Sequence, residues 1–595
     1  MKRVSIVLFF LLIVAGVWGW FTLTSPPKPL QLADPIRINQ GVILGGIDRH
    51  NSDVKVYNGI PYASARRWAP PGDPPQWGAV ARDVREFGPQ CLQSHKDMEG
   101  FVNRVIDGSG LPWWKRTLAR KFIAAQPSPA EAEECLFVNV RSANVGHREL
   151  QPVMVWIHGG AHQAGAGSDD LYQANALVEK GVVLVTFNYR LGPFGYLAHP
   201  ALTEEAGTSG NYGLLDQVAA LRWVRNNIST FGGDPDNVTV FGESAGAQSM
   251  SELMTTRLAD GLYDKAILES GTSSYNALYR NEAPLIGSRS AEDAGTEFLS
   301  SLVTNAATAA DLRAIPAAAI ISRAEARQDL TRYFLPVVDG RVLTETIGAA
   351  IRAGDEPKVP VLAGYNADEG TLFYDSIRSP TVLRPGITGT LEEREQSLAE
   401  VFGENPAKAL EALYGMETER SWDAGATDML GDDMFGVHMR FLSKANAAAG
   451  RPTWMYFFTR TTPARSQTIG AFHGSEIPFV FGSSSPLMPT SDKDEKLADN
   501  MQSYWTNFAR TGNPNGSGLP EWPRYNASTD EWLVLDHEIF TVAGIRARKL
   551  DILEEHLIDR IDAVSRATEI NPEFDATLMT TLPVSGGEET PADGN

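Results

Sequence analysis

The chain has 595 residues, 43% of them hydrophobic and 21% charged, and carries a net charge of −21 at pH 7. This is an ordinary globular composition, long enough to bury a large core. The negative charge argues against nucleic acid as a partner, because neutralising phosphates needs a basic surface.

The N-terminus stands apart. Met1-Lys2-Arg3 is basic, and Val4 to Leu23 is a run without a charge, rich in Val, Ile, Leu, Phe and Trp. Such a run is long enough to span a bilayer. A cleavable signal is usually shorter and ends in a small-x-small site, and here Gly16 and Gly19 are interrupted by Val17, Trp18 and Trp20. Residues 1–23 therefore read as a signal-anchor, with a cleaved signal peptide as the alternative and a buried core helix as the bland reading. Either targeting reading sends the rest of the chain across the membrane, to be anchored there or secreted. The Pro-containing stretch 24–34 reads as an extended linker. Two cysteines, Cys91 and Cys135, suggest one disulfide in an exported chain; two unrelated buried thiols are the alternative.

Residues 35–85 read as short strands and turns. Strand and helix then alternate. Cys135 to Val140 is a strand, and Val153 to Ile157 and Val182 to Phe187 are near-continuous apolar runs, as in strands covered on both faces. Gly213 to Ile228 carries an apolar helical face. Further strands are expected at Val238 to Phe241, Val359 to Leu362 and Trp454 to Phe458, with helical insertions over 285–355 and 390–450. This alternation implies an α/β fold on a central sheet. Residues 546–566 read as a charged amphipathic helix, part of an extension over 546–579. The tail 580–595 is polar and acidic and reads as disordered.

The strand Val238 to Phe241 runs into Gly242-Glu243-Ser244-Ala245-Gly246, and a helix-forming stretch follows. This is G-x-S-x-G in the strand–turn–helix setting that lifts a serine out of a sheet. A serine hydroxyl needs a base, and the base needs an orienting group. In nucleophile-elbow enzymes the acid and then the histidine follow the serine. Four histidines lie downstream. His556 reads as part of a solvated helix face, His537 as structural and His438 as helical. His473 stands in a loop after a strand, where such folds place functional groups. Asp368 and Glu369, after another strand, can each orient a histidine. Oxyanion donors are expected at the N–H of Ala245 and in the turn His158-Gly159-Gly160-Ala161, where glycine lets backbone approach a substrate.

Several stretches now add up to a resemblance. They are Asn58-Gly-Ile-Pro-Tyr62, Glu134-Cys-Leu-Phe-Val-Asn-Val140, Val155-Trp-Ile-His-Gly-Gly-Ala161, Asn188-Tyr-Arg-Leu-Gly-Pro-Phe-Gly195, Gly210-Asn-Tyr-Gly-Leu-Leu-Asp-Gln217, Phe231-Gly-Gly-Asp-Pro235, the elbow, and the Asp368-Glu-Gly and His473-Gly-Ser-Glu segments. In this order they resemble the type-B carboxylesterase and cholinesterase family of the α/β-hydrolase fold, from about residue 35 to about residue 545. The resemblance implies a large, mostly parallel sheet flanked by helices, with helical insertions forming a gorge over the site. It implies Ser244 as nucleophile, Glu369 as acid and His473 as base. Gly160, Ala161 and Ala245 would be the oxyanion donors, although Ala161 stands where glycine is common. Glu243 and Ser270 would support the histidine, and Cys91 would pair with Cys135. The implied reaction is hydrolysis of a small-molecule carboxylic ester through an acyl-enzyme, with no metal or cofactor. A lipase acting on long-chain acylglycerols is the alternative, and a non-catalytic binding protein is disfavoured by the complete triad.

The family's choline site needs a tryptophan shortly before the second cysteine. Here Ala124 to Ser128 holds no aromatic, so no cation–π site for choline is expected. Between the cysteines, Gly110 to Ala125 is basic and amphipathic. Its Trp113, Trp114 and Phe122 are expected either to pack on the body of the protein or to cover the site or touch lipid.

Overall fold

The computed structural model describes residues 29–567, apart from 126–128, 273, 275–277, 280–288, 304–306, 328–332, 356–357, 374–388, 465 and 485–489. The apolar N-terminal segment and the acidic tail lie outside the described residues. Among the described residues, no helix is long and apolar enough to cross a membrane.

The framework is a sheet of twelve strands. In chain order they are β1 (Gln31–Leu32), β2 (Gly46–Ile47), β3 (Lys55–Pro61), β4 (Phe137–Ser142), β5 (Gln151–Ile157), β6 (Val183–Phe187), β7 (Gly233–Glu243), β8 (Lys265–Glu269), β9 (Val361–Asn366), β10 (Thr453–Phe458), β11 (Glu531–Leu535) and β12 (Phe540–Ala543). In space the order is β1-β2-β3-β4-β6-β5-β7-β8-β9-β10-β11-β12. From β6 to β11 every neighbouring pair is parallel. The outer pairs are antiparallel. The reversals of chain order put helices on both faces, the condition for a buried parallel sheet.

The apolar runs are explained by the side-chain period of two. In β5, Val153, Val155 and Ile157 enter one core cluster, while Met154 and Trp156 enter the other. In β9, Val361 and Ala363 face the first cluster and Leu362 the second. A strand between two cores has no polar face, so its sequence does not alternate.

The helices that bear on the site are α1 (Lys96–Gly108), α2 (Trp113–Ala125), α3 (Tyr212–Asn227), α4 (Ala245–Leu253), α5 (Glu419–Gly431), α6 (Val437–Ala448) and α7 (Ala547–Ala567). Residues 432–436 between α5 and α6 form a π-helical turn. Leu550, Leu553, Leu557 and Ile561 of α7 are buried in the main core. The amphipathic period therefore docks α7 on the body rather than leaving it as an appendage. Gln31 and Leu32, inside the segment read as a linker, already pair with Ile47 and Gly46. The backbone there is extended, and the sheet edge captures it. Cys91 and Cys135 are joined, with Cα atoms 4.9 Å apart.

Candidate active site

Ser244 sits between the end of β7 and the start of α4, with φ 55° and ψ −123°. A non-glycine residue in this region is strained, and such strain collects at functional sites. The flanking glycines are needed for space. A Cβ on Gly246 would lie 1.9 Å from the Ile157 carbonyl oxygen, and one on Gly242 would lie 2.8 Å from it. A Cβ on Gly271 would lie 2.1 Å from the carbonyl oxygen of Ser244. The Ser244 N–H donates to the Glu269 carbonyl at 2.9 Å, tying the turn to β8. Ala245 opens α4, so its N–H has no partner within the helix. The Ser244 side chain is half-buried.

The glycine-rich turn follows β5. Gly160, Ala161 and His162 have φ of 105°, 55° and 60°. Gly160 cannot be replaced, because a Cβ there would fall 2.1 Å from the Ala164 carbonyl oxygen. Ala161 holds a left-handed conformation that glycine would adopt more cheaply, at a cost of about 1–2 kcal/mol. A Cβ on Gly159 would lie 3.1 Å from Cβ of Ser244, so the turn packs directly against the serine. His158 is fully buried and stacks on Tyr189, with centroids 4.5 Å apart. Burial pushes its imidazole down to about 4, so it is neutral.

His473 lies in the loop beyond β10, and its Nδ1 is 2.6 Å from Oε2 of Glu369. The other oxygen of Glu369 accepts the Asn366 N–H at 2.8 Å, which fixes the carboxylate. Asp368, the competing acid, instead accepts the Ala471 N–H at 2.8 Å and holds the loop leading to His473. On the far side of the ring, Nε2 lies 3.2 Å from Oε1 of Glu243, the residue before Ser244. Phe435, from the π-helical turn, stacks on the imidazole at 4.6 Å, and Phe373 meets it edge-on at 5.1 Å. Burial disfavours the charged imidazolium, but the carboxylates of Glu243 and then Glu369 outweigh it and lift His473 to about 9. Burial raises Glu243 to about 7 against the pull of His473.

Behind this dyad lies a set of buried acids. Ser270 donates to Glu476 at 3.4 Å, and Asn366 donates to the other oxygen of Glu476. Burial, then Glu243 and Glu369, drive Glu476 well above the carboxylate range. Glu269 accepts from Trp505 at 2.7 Å and is raised by burial to about 8. Glu476, Glu269, Asn366, Phe435 and Phe373 were not singled out from the sequence as site residues. Glu476 does carry a signal there, as a second acid three residues after His473.

The other histidines separate cleanly. His438 is buried within α6. His537 Nε2 is bonded to Asp494 at 2.9 Å, a structural contact. His556 corrects the expectation of a solvated face. Its ring packs on Phe402 with centroids 4.5 Å apart, and burial pushes it down to about 4. The expected packing of Trp113, Trp114 and Phe122 on the body is also not found. They are exposed, and α2 has no buried residue. The hairpin of α1 and α2 leaves their faces outward because α2 meets its neighbour through its arginines.

The profile of the carboxylesterase family matches residues 33–552. The fumonisin B1 esterase of Sphingopyxis macrogoltabida is 35% identical over 84% of this chain and 87% of its own length. The para-nitrobenzyl esterase of Bacillus subtilis (strain 168) is 38% identical over 69% of this chain and 81% of its own length. A solved PNB esterase superposes with a TM-score of 0.71 at 32% identity, over 87% of this chain and 99% of its own.

Proposed function

We propose that this chain, which belongs to the carboxylesterase family and is a carboxylic ester hydrolase of the α/β-hydrolase fold, acts through Ser244 as nucleophile, His473 as base and Glu369 as the acid that orients it. The observation that carries the assignment is the buried 2.6 Å contact between His473 and Glu369, beside a serine held at a strained elbow.

In the proposed steps, neutral His473 takes the Ser244 proton as the oxygen attacks the ester carbonyl. Glu369 holds the ring through Nδ1 and stabilises the imidazolium. The oxyanion is received by the N–H groups of Gly160, Ala161 and Ala245, which are fixed before reaction and need no reorganisation. His473 returns its proton to the leaving alcohol. Water then attacks the acyl-enzyme by the same route. Glu243 and Ser270 support the histidine, Glu243 directly and Ser270 through Glu476.

Export remains part of the proposal. Val4 to Leu23 is uncharged behind a basic start, and the Cys91–Cys135 disulfide fits an oxidising compartment. The segment is read as delivering the domain across the membrane, where it stays anchored or is released by cleavage.

The test is hydrolysis of p-nitrophenyl esters from acetate to palmitate, with Ser244→Ala as control. Loss of the nucleophile should cost on the order of 10⁶ in kcat with the fold intact. Wild-type turnover in Ser244→Ala would sink the assignment. Preference for short chains supports a confined acyl site, and a maximum at long chains supports the lipase alternative.

A further inference from the structure

We propose that α2 is a docking surface for an anionic lipid bilayer, placed beside the ester-cleaving site. That α2 docks is independent of the triad assignment; that it docks beside the site rests on that assignment.

The helix is thirteen residues long and buries none of them. Helices of this length are marginal in water and ordinarily draw stability from a packed face. Here the largest apolar side chains point the other way. Trp114, Leu118 and Phe122 recur at intervals of four and therefore form one stripe, and they are 47%, 57% and 50% exposed. Trp113 at the helix start is 73% exposed. A contiguous exposed apolar patch marks an interaction surface.

Charge narrows the partner. In a chain of net charge −21, α2 carries four cations and no acid. Arg116 and Arg120 turn toward α1, where both meet Asp107, at 3.5 and 2.6 Å. Lys115 and Lys121 remain exposed beside the apolar stripe, with the Lys115 ammonium 5.6 Å from the Trp114 ring. Aromatic and leucine side chains between free lysines suit the boundary between acyl chains and anionic headgroups. The local charge also orients the molecule, since the acidic remainder is repelled from such a surface.

The placement gives docking a use. The Gly108 carbonyl, at the end of α1, accepts the Thr468 N–H at 2.9 Å, and the Gly110 carbonyl accepts the Ser466 hydroxyl at 3.0 Å. That segment leads directly to His473. α1 also packs on the turn bearing Glu369. A bilayer held by α2 would present esters partitioned in its surface next to the site.

The test uses the full chain with Leu118→Cys, labelled with an environment-sensitive fluorophore. Both native cysteines are already paired, so labelling is selective. Turnover of p-nitrophenyl acetate should match wild type, which reports folding. Vesicles of phosphatidylcholine with phosphatidylglycerol should shift the label's emission to the blue, and nitroxides on the acyl chains should quench it. A label at exposed Val80 should not respond, and Lys115→Glu with Lys121→Glu should abolish the shift at Leu118. Equal shifts with pure phosphatidylcholine, or none with either vesicle, would overturn the proposal. So would a blue-shifted emission without vesicles, which would mean that the stripe packs on its own chain or, if it grows with protein concentration, on a second copy.

Discussion

Two carboxylates face one imidazole in this site, and they act on it differently. Glu369 holds Nδ1 at 2.6 Å and fixes the ring, while Glu243 lies 3.2 Å from Nε2, the nitrogen that takes a proton from Ser244 in the proposed mechanism. Both stabilise the imidazolium, which is why His473 is lifted to about 9 despite its burial. The base must be neutral to act, so kcat/KM should rise with pH through the titration of His473. Glu243→Gln removes a negative charge and destabilises the imidazolium. The histidine's pKa then falls, and the acid limb of the profile should move to lower pH, by about one unit for each ~1.4 kcal/mol of lost interaction. The pH dependence of kcat/KM for p-nitrophenyl acetate in the two enzymes measures the shift, and an unmoved or higher limb would refute the role given to Glu243. Sequence spacing left Asp368 and Glu369 equivalent as acids. The structure separates them because Asp368 is already spent on the Ala471 N–H.

At the scale of elements, the site is a junction where β5, β7 and α4 approach more closely than side chains permit. Gly246 lies at that crossing, its would-be Cβ 1.9 Å from the Ile157 carbonyl. Overpacking ordinarily costs about 1–3 kcal/mol, and here the obstructing atom is backbone, which cannot turn aside. Gly246→Ala should therefore destabilise the enzyme by at least that amount in urea unfolding. It should also lower kcat, because Ile157 leads into the turn that carries Gly160 and Ala161. Gly261→Ala is the control. It has a φ of 71° and nothing within 4 Å of a new Cβ, so it should lose only the left-handed strain, about 1 kcal/mol, with kcat unchanged. Similar effects of the two substitutions would show that conformation, not space, selects Gly246. The strand β8 was not legible in the sequence, although it lies at the centre of the sheet. Lys-Ala-Ile-Leu-Glu is short and charged at both ends. Its ends are satisfied only in the fold, by Asn237 for Lys265 and by Trp505 for Glu269.

Across the whole molecule, two long-range ties hold the periphery to the core. One is α7, four of whose apolar residues are buried in the main cluster although they follow the last strand. The other is the Cys91–Cys135 bond, whose partners are 44 residues apart and whose loop contains α1 and α2. Closing a loop of that length restricts the unfolded chain by up to about 4 kcal/mol. Reduction should lower the unfolding free energy by an amount up to that value, read from urea midpoints with and without reductant. An unchanged midpoint would show that the unfolded state gains no freedom from opening this loop.

The sequence by itself determined most of the strands that lie between two cores, β8 excepted, together with the elbow and the glycine turn. These depend on short-range rules: apolar runs, a G-x-S-x-G turn, and glycine where backbone must come close. It also supplied the chain order in which the acid and base of the triad were sought. Spacing alone left the acid open and the family resemblance pointed to Glu369; only the tertiary structure shows its contact with the histidine and which ring nitrogen faces Glu243. It alone gathered Glu243, Glu269 and Glu476 behind the site and turned the aromatics of α2 outward. The reason is distance along the chain. Glu369 and His473 are 104 residues apart, and Ser270 and Glu476 are 206 apart. No local pattern records such pairings; they exist only once the sheet has set β7, β8, β9 and β10 side by side.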